Sequence, residues 1–252
     1  MKETAFLALS LLAMILLFFC ATSCAVLGEA LGGPEGASSD NKSSDITWFP
    51  VINTTILIRS PNVDFIPCLK GYQQTTDYTC GPSALISLAK FYGMPGIEEN
   101  AATEIRIAKE LGTRGLNSSK PGTKPQEMVA WLQKNGFDAK LQFEDQGEGN
   151  ALQQLRDNLR HGMPTLVEWI DLSGHWAVAV GYDYRNVSDP WDDILILADP
   201  YDRYDDYQDG YSFVNANRFY GMWFDSLCFD NITWRTMITA TPRKPFLRRP
   251  RL

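Results

Sequence analysis

Two hydrophobic periods divide the chain. Between residues 81 and 160, apolar positions recur every three or four residues. Ala84, Leu85, Leu88, Ala89 and Tyr92 trace one face of a helix that starts at Gly81 and ends near Gly93, with Pro95 just beyond. Residues 97–111 read as a second helix, stopped by Gly112. Thr123 is the expected cap of a third, which has Met128, Val129 and Leu132 on its apolar side and Asn135-Gly136 at its end. Residues 137–143 read as a short strand, and residues 150–160 as a fourth helix with Leu152, Leu155 and Leu159 on one face. Beyond Pro164 the pattern changes to strands: residues 165–170, 175–182 and 194–198, the last ended by Asp199-Pro200. An acidic, tyrosine-rich loop over 201–211, a short helix around 214–224 and a last strand over 234–240 follow. Upstream, the β-branched run at 54–59 predicts one more strand. Helices first and strands afterwards predict an α+β domain, with an antiparallel sheet packed on helices.

The N-terminus follows a different rule. Residues 4–28 carry no charge and include nine consecutive apolar residues from Leu11 to Phe19, after a positive flank at Lys2. Such a segment, over residues 1–27, is a signal peptide or an uncleaved membrane anchor. Ser23-Cys24-Ala25 presents small residues to a signal peptidase, while Ala21-Thr-Ser-Cys24 has the form of a lipoprotein box in which Cys24 carries the lipid. Residues 28–45, rich in Gly, Ser, Glu and Asp, read as a flexible linker. The domain proper then spans residues 46–242, and residues 243–252 form a basic, proline-broken tail. Asn-x-Ser/Thr sites at Asn41, Asn53, Asn117, Asn186 and Asn231 suit a glycosylated, extracytoplasmic surface. The expected location is therefore outside the cytoplasm, secreted or held at a membrane by the N-terminal segment.

Composition narrows the chemistry. The 252-residue chain is 44% hydrophobic and 21% charged, as in ordinary globular proteins. Its net charge of −7 argues against a nucleic-acid partner. The only histidines are His161 and His175, and no Cys-x-x-Cys pair occurs, so neither a histidine-built nor a thiolate-built zinc site is expected. No Walker loop or dinucleotide fingerprint is present, and no cofactor is expected. The acidic loop does not match the spacing of a calcium-binding EF-hand.

What remains is a cysteine. Cys80 precedes Gly81-Pro82 at the start of the first helix. Unpaired N–H groups and the helix dipole favour negative charge there, and so favour a nucleophilic thiolate. His175 opens a strand directly after Ser173-Gly174, and Asp199 ends the next one, where antiparallel pairing can bring it beside the imidazole. A nucleophile, a base and an orienting carboxylate form a thiol-hydrolase arrangement. Gln74, six residues before Cys80, has a side-chain amide able to hold an oxyanion together with the Cys80 backbone N–H. Asp183 is the rival orienter and Gln73 the rival amide. His161, at a helix end before Gly162, reads as structural.

Gln74-x5-Cys80-Gly81-Pro82, Gly174-His175-Trp176-x-Val178-x-Val180-x-Gly-Tyr-Asp183 and Ala198-Asp199-Pro200 resemble the C39-like cysteine peptidases of the papain-like superfamily. Gly122-Thr123 and His161-Gly-Met-Pro164 agree with the same pattern. The resemblance implies a papain-like fold, with helices carrying the cysteine packed against a sheet carrying His and Asp. It implies Cys80 as nucleophile, His175 as general base and acid, Asp199 as orienter and Gln74 as oxyanion donor, acting on a peptide or protein substrate through an acyl-enzyme. The best-known members cut after a double glycine in leader peptides and are fused to a transporter. No transporter segment is present here, so that substrate does not carry over. Acyl or isopeptide transfer by the same residues, and a catalytically silent binding module of the same fold, are the alternatives. Cys68 and Cys228 are either a disulfide that leaves Cys80 free or a pair of buried thiols.

Overall fold

β4 (His175–Asp183) is buried along all but its last residue and hydrogen-bonded along both edges, and the other elements are arranged about it. The computed structural model describes residues 60–144, 149–185, 192–203, 208–225 and 231–246. The segments expected as a signal peptide or anchor, as a linker and as a strand at 54–59 lie outside the described residues, as do Cys24, Asn41, Asn53, Asn186 and Cys228. No helix among the described residues is long and apolar enough to cross a membrane.

The main sheet is antiparallel throughout, in the order β2 (Phe137–Gln142), β9 (Met237–Pro242), β3 (Thr165–Trp169), β4, β5 (Ile194–Ala198), β6 (Tyr211–Asn215). A short β1 (Val63–Phe65) pairs with the far end of β4, Val63 opposite Asp183. β7 (Phe224–Asp225) and β8 (Thr233–Trp234) form a separate ribbon. The helices are α1 (Cys80–Phe91), α2 (Ala101–Leu111), α3 (Pro125–Lys134), α4 (Ala151–Arg160) and α5 (Ala216–Met222). α1 packs between α2 and β4, and α3 covers β2. The result is the expected α+β domain, with helices carrying the cysteine laid on an antiparallel sheet carrying His175 and Asp199.

Several boundaries differ from the sequence reading, each for a local reason. α1 is buried on every side from Cys80 to Ala89 rather than on one face. Ser87 is compatible with burial because its Oγ donates to the Ser83 carbonyl and accepts the Tyr72 N–H. α2 starts at Ala101, not residue 97, because Asn100 is extended and its side chain accepts the Thr103 N–H at 2.9 Å. Thr123 does not cap α3. Lys124 occupies the cap, Pro125 begins the helix, and the Glu127 carboxylate accepts the Lys124 N–H at 2.8 Å. β6 covers what reads as the start of a helix, and α5 begins after it at Ala216. The last strand is broken at Arg235, whose φ of 55° separates β8 from β9. The tail begins ordered, with the Phe246 ring 5.4 Å from Phe137.

One close approach ties the chain before α1 to the sheet. A Cβ added at Gly71 would lie 2.2 Å from the Asp199 carbonyl oxygen and 2.5 Å from its nitrogen. The backbone is clamped on both sides of this point: the Gly71 N–H donates to Gly210 O at 2.9 Å and Asp199 N–H to the same oxygen at 3.1 Å. Gly71→Ala should therefore destabilise the fold by about 2 kcal/mol through overpacking. Urea unfolding checks this, with Gly221→Ala as the control, since a Cβ there meets nothing within 4 Å.

Candidate active site

Cys80, His175 and Asp199 converge where the N-terminus of α1 meets the ends of β4 and β5. Val178 pairs with Ala198 across the two strands, so His175 and Asp199 lie at the same end of the sheet. His175 Nε2 is 2.7 Å from Asp199 Oδ1, and both side chains are buried. The Tyr201 N–H also donates to Oδ1 at 2.8 Å, and Ser212 Oγ donates to Oδ2 at 2.7 Å. The second imidazole nitrogen is left free of Asp199, and the Cys80 thiol lines the same cleft, close enough to act on the charge of the ring. Asp183, the rival orienter, sits at the opposite end of β4 and accepts the Arg185 N–H.

The electrostatics follow from this geometry. Burial opposes charge on His175, but the Asp199 carboxylate and the hydrogen bonds to Asp199 and Cys80 outweigh it and raise the imidazole pKa to about 10. Burial likewise opposes charge on Asp199. The His175 charge and the three hydrogen bonds to the carboxylate prevail and hold its pKa below the usual 3.8. An ion pair is thus the resting form at neutral pH.

Cys80 is the first residue of α1, so its N–H has no acceptor within the helix. Thr79, of the type that commonly caps a helix, makes no cap hydrogen bond here. Its hydroxyl donates instead to Glu104 Oε1. The positive end of α1 is thereby left open beside the sulfur. Gly81 permits the turn to pack tightly, since a Cβ there would lie 2.9 Å from Thr123 Oγ1. Thr123 itself is held by Thr113 Oγ1 at 2.8 Å, and its carbonyl accepts the Trp176 indole N–H at 3.1 Å.

Gln74 lines the same cleft as Cys80, His175 and Tyr201. Its Nε2 donates to the Thr76 carbonyl at 2.7 Å, which leaves the second proton of that amide for another acceptor. Gln73 faces elsewhere, with Nε2 on the Asp199 carbonyl at 2.9 Å. His161 caps α4, with Nδ1 2.6 Å from the Asp157 carbonyl. Cys68 carries an exposed free thiol, not a buried one, and its candidate partner Cys228 lies outside the described residues. Asn117 and Asn231 are both exposed.

Two carboxyl groups were not singled out from the sequence. Glu104 on α2 is fully buried and accepts from Thr75 N–H at 2.9 Å, Tyr72 OH at 3.1 Å and Thr79 Oγ1. It anchors the segment that runs from Gln74 to Cys80. Glu168 on β3 is also buried and lines the cleft beside Cys80, yet neither of its oxygens has a hydrogen-bond donor. Burial first, then the nearby Asp225 carboxyl and the charge of Cys80, push its pKa well above 4.5. Its signal in the sequence was a single charge inside the apolar run Thr165–Trp169. Glu104 gave no such signal, because an acidic residue in the first turn of a helix is ordinary.

Glu104→Ala strands three donors around a cavity and should lower unfolding free energy by about 3 kcal/mol, with Glu104→Gln recovering part of it. Chemical denaturation of the three proteins checks this. The His175 pKa of about 10 lies above its ordinary 6.5, so the stability it contributes is full below pH 6.5 and is lost as pH rises toward 10. The Asp199 contribution has the opposite sense: present above pH 3.8, lost as the pH falls below it. Wild-type stability should therefore decline more steeply than that of His175→Phe between pH 6.5 and 10, measured by unfolding at fixed pH.

Among solved structures, the peptidase domain of Streptococcus ComA, a bi-functional ABC transporter involved in quorum sensing, is 21% identical, with 69% of this chain and 99% of that one covered and a TM-score of 0.45. A double glycine motif protease from an AMS/PCAT transporter, solved with its leader peptide, is 13% identical over 68% of this chain and 89% of that one, at 0.40. UfSP from C. elegans is 15% identical over 85% of this chain and 40% of that one, at 0.45. No curated protein matches the sequence. The Peptidase_C39 like family matches residues 68–225, a span that holds α1 with Cys80, β4 with His175 and the end of β5 with Asp199. The chain belongs to that family and is a cysteine peptidase.

Proposed function

We propose that the chain hydrolyses peptide bonds through a Cys80–His175–Asp199 triad and an acyl-enzyme. The observation that carries this reading is the buried His175–Asp199 pair, 2.7 Å apart, with Cys80 lining the same cleft as the imidazole. A thiolate at the N-terminus of α1 attacks the substrate carbonyl carbon. The oxyanion is held by the Cys80 N–H and the Gln74 amide. As the C–N bond breaks, His175 gives its proton to the leaving amine. The neutral imidazole then takes a proton from water, whose oxygen attacks the thioester. Collapse expels the Cys80 thiolate and frees a carboxylic acid, and His175 is again protonated. Asp199 keeps the ring oriented and stabilises its charge through both half-reactions.

The substrate is a peptide or protein chain, which the open cleft over Cys80 accommodates. The chain acts outside the cytoplasm. The apolar run at residues 11–19 and the exposure of Asn117 and Asn231 support this location. Export also means that the thiol of Cys80 works in an oxidising setting.

Iodoacetamide labelling of the full chain, read residue by residue by mass spectrometry, tests the triad. Cys68 is an exposed thiol in the same molecule and serves as the comparator. At pH 6 Cys80 should react faster than Cys68, and His175→Ala should cut the Cys80 rate by roughly a hundredfold. Equal rates at the two cysteines in the wild type would refute the thiolate–imidazolium pair. Cleavage of a peptide library by wild type, and none by Cys80→Ala, is the expected companion result.

A further inference from the structure

The cleft continues past Cys80 away from His175, and the carboxyl group of Glu168 lies along that half. Glu168 pairs directly with Trp176 across β3 and β4, so both project to one face of the sheet. That face meets α1, since Trp176 Cδ1 would lie 3.5 Å from a Cβ at Gly81. Glu168 is only 1% exposed, and neither oxygen receives a hydrogen bond. A second buried acid, Asp225 on β7, lies close by, where β7 packs on β3. Asp77 lines the same half-cleft, and no lysine or arginine does among the described residues. The lips are aliphatic: Leu116 and Leu172 are 59% and 51% exposed and both border this half. Leu172 and Ser173 hold left-handed backbone, with φ of 52° and 69°, and keep that lip in place.

The direction of the reaction assigns the two halves. His175 protonates the departing amine, so the leaving segment lies on its side, and the acyl segment crosses Cys80 toward Glu168. We propose that Glu168, backed by Asp225, is a specificity-determining residue that receives a cationic side chain, lysine or arginine, from the acyl segment of the substrate. The aliphatic stem of such a side chain lies between Leu116 and Leu172 and its charge reaches the Glu168 carboxyl. A proton on Glu168 leaves to solvent as the cation docks, and its carboxylate gains the donor it lacks. This inference rests on the peptidase reading of the same site.

Peptidyl chloromethyl ketones test it, with lysine at the last or next-to-last position, each beside its norleucine counterpart. Norleucine keeps the stem and removes the charge. Alkylation of Cys80 in the full chain is followed by intact mass. In the wild type the better-placed lysine probe should react at least about tenfold faster than its norleucine twin. Glu168→Gln and Asp225→Asn should each collapse that ratio toward one. Rapid reaction of Cys80 with both members of each pair at equal rates would overturn the inference and leave the peptidase reading standing. No reaction of Cys80 with any probe would overturn both. The wild-type ratio stands on its own if either variant fails to fold.

Discussion

The turn after β5 is the point on which the site depends. The Asp199 side chain receives His175, Tyr201 and Ser212, while its carbonyl receives the Gln73 amide. The next residue, Pro200, accepts the Gln74 N–H at 2.9 Å. Gly71 lies against the same backbone with no space for a side chain. One short turn of the sheet therefore positions both the imidazole and the segment that leads to Cys80. Residues more than a hundred positions apart are held to hydrogen-bond tolerance because a single buried carboxylate and its own main chain serve both. A buried charge of this kind is sustained only when donors surround it, and here they do.

Glu104 and Glu168 are the same residue type, both buried in the same domain, with opposite surroundings. Glu104 is met by a backbone N–H and two hydroxyls, and it fixes the Gln74–Cys80 segment from below. Glu168 meets no donor and lies near another acid, and burial pushes its pKa up. The first arrangement gives rigidity to the nucleophile. The second leaves a polar group in the cleft without a partner, which is where a substrate group can make a difference. Environment, not residue identity, separates an anchor from a recognition group.

The backbone around the cysteine follows the same economy of donors. Thr79 gives its hydroxyl to Glu104 rather than to the helix it precedes, and α1 keeps its N-terminal N–H groups available. That choice costs helix stability locally, and tertiary burial of α1 on every side offsets it. Glycine at position 81 and the close approach of Thr123 and Trp176 then hold the first turn against the sheet.

The sequence alone determined the class of the fold and the identities of its chemical groups. Period 3.6 before residue 160 and period 2 after it are local consequences of side-chain direction, so helices and sheet were legible without contacts. Cys80-Gly-Pro at a helix start, His175 at a strand start and Asp199-Pro at a strand end were legible for the same reason. Only the tertiary structure decided between Asp199 and Asp183, and separated the surroundings of Gln73 from those of Gln74, because the register of β4 on β5 is a long-range fact. It also decided where α3 begins, since Lys124 holds the cap position that propensity alone would give to Thr123. Glu104 was illegible, and Glu168 showed only as a charge inside an apolar run, because burial and the direction of a hydrogen bond belong to no residue by itself. They arise when α2, β3 and β7 close around the start of α1, and a linear pattern carries no record of that closure.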